Sequence, residues 1–180
     1  MKEGFIPTGK KSADFRLFYE QYRIPVYTFI LKMVKDRTLA EDLMQDTFLS
    51  AVKYIDQFQE GRNFMSWLFG IAHKRTIDHF RHQKIVRVHK DKEESTLCTE
   101  LDRPDQAMEK GAVRAVLSDA LETLSPVQRE VFLMREMGGV SFKDIADITG
   151  TSVNTALGRM RLALKNIKIE FEKRGIYGVR

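Results

Sequence analysis

The sequence predicts an all-α protein: two small helical domains joined by a flexible charged linker, the second carrying a helix-turn-helix. Three observations lead there. Apolar residues recur at steps of three and four along nearly every periodic segment, and no alternating run marks a strand. The period is lost over residues 87–110, where charges cluster around Pro104. Helix-start signals, a Ser or Thr answered three residues later by a polar partner, recur and are followed by glycine stops. A length of 180 residues accommodates two small domains, and a hydrophobic content of 43% can fill their cores.

In chain order, residues 14–35 place Phe15, Phe18, Tyr19, Tyr22, Val26, Phe29, Ile30 and Met33 on one stripe, with Pro25 expected to kink or divide the helix. Thr38-Leu-Ala-Glu41 reads as a capping box that starts a second helix. Its core stripe is Leu39, Leu43, Thr47, Phe48, Ala51, Val52 and Ile55, and beside it runs a row of Asp42, Gln45, Asp46 and Leu49. Gly61 marks a loop, and Asn63 caps a third helix from Phe64 into the low eighties. These elements form a domain over residues 12–86, with 87–110 as linker. A second domain, 111–175, opens on Val113, Val116, Leu117, Ala120, Leu121 and Leu124. Ser125-Pro-Val-Gln128 is a capping box with Pro at the first helical position, and Ser141 and Ser152 start two more helices. Gly138-Gly139 and Gly150 supply the stops.

The formal net charge is +5, a mild excess that favours a polyanionic partner. It is unevenly spread: 14 Lys/Arg against 10 Asp/Glu in residues 1–86, 5 against 7 in 87–110, and 11 against 8 in 111–180. Two basic blocks therefore flank an acidic middle. The single cysteine, Cys98, excludes an intrachain disulfide and suits a reducing compartment. The amino-terminal stretch lacks the apolar run of a signal peptide, and no segment approaches the roughly 20 apolar residues of a membrane span. The expectation is a cytoplasmic protein without membrane insertion.

Two stretches carry chemistry. Val140–Leu164 reads as a short helix, a turn on Gly150 and a longer helix capped by Ser152. Winding that last helix gathers Val153, Leu157, Met160, Leu164, Ile167 and Phe171 into a core stripe. Asn154, Thr155, Gly158, Arg159, Arg161 and Lys165 fall on the other side, together with Leu162. Short polar groups near a helix start can reach base edges, cations further along can meet phosphates, and Gly158 permits close approach. A basic face alone is more often simple solvation; the capped helix and glycine turn before it favour a helix-turn-helix. In the first block, Trp67, Lys74, Asp78 and Arg81 share a stripe of the third helix. Residues 73–90 hold six Lys/Arg, four His and one Asp, with Phe58, Phe64 and Trp67 upstream. Rings interleaved with cations suit opened single strands, where bases stack and the backbone follows positive charge. Core filling explains at least one of those rings equally well.

Together these residues resemble the extracytoplasmic-function sigma factors, small members of the sigma-70 family of bacterial RNA polymerase subunits. The resemblance rests on Ala40-Glu-Asp-Leu-Met-Gln-Asp-Thr-Phe48, Phe64-Met-Ser-Trp-Leu-Phe-Gly-Ile-Ala72 leading to Asp78-His-Phe-Arg81, Leu124-Ser-Pro-Val-Gln-Arg-Glu-Val-Phe132, and Asn154-Thr-Ala-Leu-Gly-Arg-Met-Arg-Leu-Ala163. It spans about residues 12–86 and 111–172, and the order and spacing of the motifs are more specific than any one of them. The resemblance implies that the first block is sigma domain two, which binds the clamp of core RNA polymerase and recognises and melts the −10 promoter element. It implies that the second is sigma domain four, which reads the −35 element and contacts the polymerase flap. It also implies a regulon of its own, an anti-sigma factor as partner, and neither catalysis nor cofactor. Carried over residue by residue, Asp42, Gln45, Asp46 and Leu49 face the clamp. Residues 57–63, with Gly61, Arg62 and Asn63, lie where an extruded −10 base is captured, and Trp67, Lys74, Asp78 and Arg81 read the −10 element. Ser152, Asn154, Thr155, Gly158, Arg159, Arg161 and Lys165 serve the −35 element. The sequence departs from the family at Lys74, where Asn is usual, and at Thr151 and Ala156, where apolar residue and Val are usual.

Two rival readings remain at this point. A plain helix-turn-helix regulator accounts for residues 111–180 but leaves the Asp42 row and the aromatic-basic helix without a role. An enzyme needs convergent acid, base or nucleophile. A metal pair at His79 and His82 and a redox role for Cys98 are the weaker readings, with no regular carboxylate spacing to support the first.

Overall fold

A computed structural model describes residues 12–59, 61–89 and 108–176. Among them there is no strand; seven α-helices and one short 3-10 turn make up the fold. They are α1 (Ser12–Val34), α2 (Arg37–Lys53), the turn Ile55–Gln57, α3 (Phe64–His89), α4 (Met108–Thr123), α5 (Pro126–Gly138), α6 (Phe142–Thr149) and α7 (Val153–Lys173). Helices α1, α2 and α3 pack on one another as one block, and α4 to α7 as another.

The first core is aromatic. Phe18 lies edge-on to Phe48 and Phe64, with ring centroids 5.0 and 5.5 Å apart, and Phe29 meets Phe69 at 5.2 Å. Edge-to-face pairs of this kind add to the area they bury. Helix α1 runs through Pro25 undivided, against the expectation of a break. Tyr22 and Val26 on either side of the proline and Phe29 beyond it are all buried, so tertiary packing holds the helix across the lost backbone bond. Helix α2 starts on Asp36, not Thr38: the Asp36 carboxylate accepts from the Leu39 N–H at 2.9 Å, as an N-cap does. Asn63 accepts from the Ser66 N–H at 3.1 Å and starts α3, which continues to His89. The expected linker, 87–110, is thus helical at both ends, and residues 90–107 lie outside the described set.

In the second block the expected caps are in place. Gln128 accepts from the Ser125 N–H at 3.4 Å, and the hydroxyls of Ser141 and Ser152 accept from the N–H groups of Asp144 and Thr155 at 3.1 Å. Gly139 and Gly150 close α5 and α6 in the left-handed conformation, φ +60° and +64°, which glycine adopts without strain. The core stripe of α7 differs from expectation. It is Ala156, Met160, Ala163, Ile167 and Phe171, while Val153, Leu157 and Leu164 are exposed. Two fully buried alanines, Ala156 and Ala163, belong to that register, and a hydrophobicity pattern weighted to large residues does not show them.

The two blocks also touch. Helix α5 packs on α1 and α3, and α6 on α3. At the α1 end of this contact Lys32 is 9% exposed and donates to the Ser118 hydroxyl at 2.6 Å. Burial pushes the Lys32 ammonium below its ordinary pKa; Glu122 opposes that shift, Arg129 adds to it, Asp119 opposes it and Lys35 adds to it. A lysine with a lowered pKa in the folded chain holds fewer protons there than in the unfolded chain, so stability rises with pH on approaching 10.5. Urea unfolding between pH 7 and pH 10 should therefore show a rise in midpoint that Lys32→Met diminishes; equal slopes for both proteins would contradict the assignment.

Candidate polymerase and promoter interface

Helix α2 buries Ala40, Leu43, Met44, Thr47, Phe48 and Ala51. Asp42, Gln45, Asp46 and Leu49 all lie on its solvent face. Leu49 is 64% exposed. Behind the row, Thr47 and Ser50 donate to the carbonyls of Leu43 and Asp46, and Arg75 of α3 donates to the Ser50 hydroxyl at 2.6 Å. The row sets two carboxylates and an amide beside a large apolar side chain left on the solvent face.

Helix α3 presents three faces. Leu68, Phe69 and Ala72 belong to the first core. Nearly opposite, Trp67, Lys74, Asp78 and Arg81 form the expected stripe. Lys74 and Arg81 are exposed, and Asp78 is half-buried with an ion pair to Arg81 at 3.5 Å. Trp67 is half-buried, ringed by Phe58 and Phe64 at 5.5 and 5.4 Å, so it both packs and presents an edge. Phe64 is the ring that fills the core, at 5% exposure. The triad Phe58, Phe64, Trp67 anchors the loop that carries Gly61, Arg62 and Asn63, all exposed; Gly61 has φ +89°. Loop and stripe thus lie side by side at the start of α3.

Helices α6 and α7 form the helix-turn-helix, with Gly150 at the turn and Ser152 as cap. Asn154, Thr155, Arg161 and Lys165 are exposed, and Gly158 and Arg159 are half-buried. On the helical wheel Asn154, Gly158, Arg161 and Lys165 point directly away from the core, and Arg159 sits on the flank. Thr155 is also tied to the cap, its hydroxyl 2.8 Å from that of Ser152. Among the described residues no group of three His, Cys, Asp or Glu could hold a metal. Cys98 lies outside the described residues.

The positions that sequence reasoning missed are those that join the blocks: Ser66 and His73 on α3 with Asp144 and Glu130 opposite them, and Arg129 with the Lys32 carbonyl of α1 opposite it. Gly70 in the interior of α3 was the available signal, since a helix-interior glycine often marks close packing; it faces Ile148 of α6.

Residues 18–85 match the family description Sigma-70 region 2, and residues 114–167 match Sigma-70, region 4. The chain is 34% identical over 131 residues to RNA polymerase sigma factor CarQ of Myxococcus xanthus, spanning 73% of this chain and 74% of that one. It is 30% identical over 151 residues to ECF RNA polymerase sigma factor SigM of Bacillus subtilis (strain 168), spanning 82% and 90%. The chain belongs to the extracytoplasmic-function sigma factors. Its fold is shared with the sigma factor RpoE of Bartonella quintana, solved in complex with the anti-sigma factor NepR (TM-score 0.71, 24% identity, 88% of this chain and 97% of that one). It is shared also with CnrH, solved with the cytosolic domain of CnrY (TM-score 0.61, 20% identity, 91% of each chain). As an alternative sigma factor the protein joins core RNA polymerase, recognises promoter DNA and starts transcription. No helix among the described residues is long and apolar enough to cross a membrane.

Gly158 gives a direct test of groove approach by this sigma factor. A Cβ there would meet nothing within 4 Å, so packing inside the chain does not require glycine. An interior helical glycine costs about 0.8–1 kcal/mol relative to alanine. Gly158→Ala should therefore raise the melting temperature and lower affinity for −35 duplex. Unchanged DNA affinity would show that the backbone does not approach the groove here.

Proposed function

We propose that the three exposed surfaces divide the work of initiation among named residues. Asp42, Gln45, Asp46 and Leu49 bind the polymerase clamp. The loop with Gly61, Arg62 and Asn63, and the stripe Trp67, Lys74, Asp78 and Arg81, hold the opened −10 strand. Ser152, Asn154, Thr155, Gly158, Arg159, Arg161 and Lys165 engage the −35 duplex. The observation that supports this reading most is the exposure of Leu49 at the end of the Asp42 row, on a helix whose other large apolar side chains are at least partly buried. Residues 12–86 and 111–175 are the functional units, working in the cytoplasm without catalytic chemistry of their own. An anti-sigma factor is the regulator, as the partners named for RpoE and CnrH suggest.

Within the −35 set the roles differ. Asn154 and Thr155, at the start of α7, are placed to read bases, and Arg161 and Lys165 on the outward face to hold phosphates. Arg159 on the flank reaches the edge of the groove. A base-reading contact discriminates by about 1–3 kcal/mol at one base pair, whereas a lost phosphate contact weakens all sequences alike and flattens the salt dependence. The experiment is run-off transcription with core polymerase on a library of −35 sequences. Asn154→Ala should relax preference at one or two positions, and Arg161→Ala should lower activity on every sequence. Asp46→Ala with Leu49→Ala should weaken co-purification with core polymerase while helix content stays constant. Wild-type behaviour from all of these variants would overturn the residue assignments.

A further inference from the structure

The Asp42 row and the Lys74 stripe stand on different helices, α2 and α3, and one chain of hydrogen bonds joins them. Arg75 Nη2 of α3 donates to the Ser50 hydroxyl of α2 at 2.6 Å, and that hydroxyl donates to the Asp46 carbonyl at 2.6 Å. Arg75 directly follows Lys74 of the stripe, and Ser50 directly follows Leu49 of the row. Asp46 is itself in the row. The chain therefore starts one residue from one surface and ends within the other.

Its direction is fixed by the chemistry of the groups. A serine hydroxyl has one hydrogen to give and two lone pairs to receive, and a guanidinium can only donate. The Ser50 hydrogen goes to Asp46, so Arg75 supplies the bond that the hydroxyl accepts. Ser50 is 6% exposed, which leaves little access for water in place of the guanidinium. Winding α3 at about 100° per residue sets Arg75 between the stripe and the buried face, on the side that meets α2. Ser50 lies in the last turn of α2, where unpaired carbonyls carry partial negative charge and favour a cation.

The two helices are also tied near the loop by the rings of Phe58, Phe64 and Trp67. Arg75 is eight residues past Trp67, about 12 Å further along α3. The buried residues next to the polar tie in sequence, Ala51 on α2 and Thr76 on α3, are small, so apolar burial there sets the register only weakly. One tie at the rings leaves the helices free to rock about it. A second tie about 12 Å away fixes both the distance and the angle between row and stripe.

We propose that Arg75 is a positioning residue for promoter opening: resting on the assignment of row and stripe to clamp and −10 strand, it acts through Ser50 to hold those two surfaces in one fixed relation. A phosphate contact by Arg75 makes the opposite prediction at Ser50, because Ser50→Ala leaves the Arg75 charge in place and removes only its acceptor. Arg75 is exposed and Ser50→Ala deletes a single oxygen, so neither variant disturbs the aromatic core.

The test uses the full chain with core polymerase. Permanganate reactivity of thymines in the melted region, at saturating sigma factor, reads opening, and a fluorescence titration reads core affinity. Arg75→Ala and Ser50→Ala should each lower opening about three- to tenfold, with core affinity within twofold of wild type. The double variant should fall no further than the weaker single, since both remove the same bond. Arg75→Lys should restore opening to within twofold of wild type, because one monodentate contact does not need the planar fork. Wild-type opening by Ser50→Ala beside a loss in Arg75→Ala would overturn the proposal and make Arg75 a phosphate contact. A double variant that falls by the product of the singles would overturn it as well, and so would core affinity falling in step with opening, the mark of a merely structural bond. Normal opening by both Lys74→Ala and Arg81→Ala would instead remove the strand-reading stripe, and the proposal with it.

Discussion

The guanidinium of Arg129 is the interaction on which the rest of this structure depends. At 5% exposure it donates to four backbone carbonyls: Leu121 at 2.7 Å, Lys32 at 3.0 Å, Glu122 at 3.1 Å and Leu124 at 3.2 Å. Three of these belong to the end of α4 and its exit, and one to the last turn of α1. Helix ends leave carbonyls without intrahelical partners and carry partial negative charge, so one planar cation with five donors can close both. Glu122 lies 3.8 Å away and offsets part of the cost of burying the charge. The α4–α5 corner that orients the helix-turn-helix and the junction with the first block thus share one side chain.

Helices α2, α3 and α7 each divide their circumference between a buried face and an exposed one. Helix α2 buries one side in the aromatic core and leaves the Asp42 row outside. Helix α3 has three faces, one in the first core, one exposed with Lys74 and Arg81, and one against the second block. Helix α7 rests on Ala156, Met160 and Ala163, small enough to seat it deeply and leave Asn154 and Arg161 directed outward. Side chains carried on helices are held more precisely than side chains carried on loops. Only the loop of Gly61 to Asn63 departs from this rule, and the ring triad of Phe58, Phe64 and Trp67 steadies it.

Local features of the fold were legible in the sequence, and long-range ones were not. Asn63, Ser125, Ser141 and Ser152 as caps and Gly139 and Gly150 as stops are short-range signals, and each stands where expected. The Thr38 capping pattern does not start α2, because Asp36, two residues earlier, is the better-placed acceptor. The exposed rows on α2, α3 and α7 followed from helical periodicity, although the register of α7 turned on buried alanines, which periodicity underweights. The contact between blocks joins residues 66 with 144 and 73 with 130. Nothing local in a single sequence announces such pairs, and Arg129 reads as one more surface cation until its four carbonyls are seen.

The central claim is that exposed rows on α2, α3 and α7, each backed by a buried face, are the contact surfaces of this sigma factor. The direct measurement is hydroxyl-radical footprinting of side chains in the free protein and in a promoter complex with core polymerase. Leu49 is exposed and Trp67 half-buried in the free chain. Loss of reactivity at Leu49 and Trp67 in the complex, with Leu17 and Ile24 unchanged, is the predicted result. Equal reactivity of Leu49 and Trp67 in the two states would contradict the account.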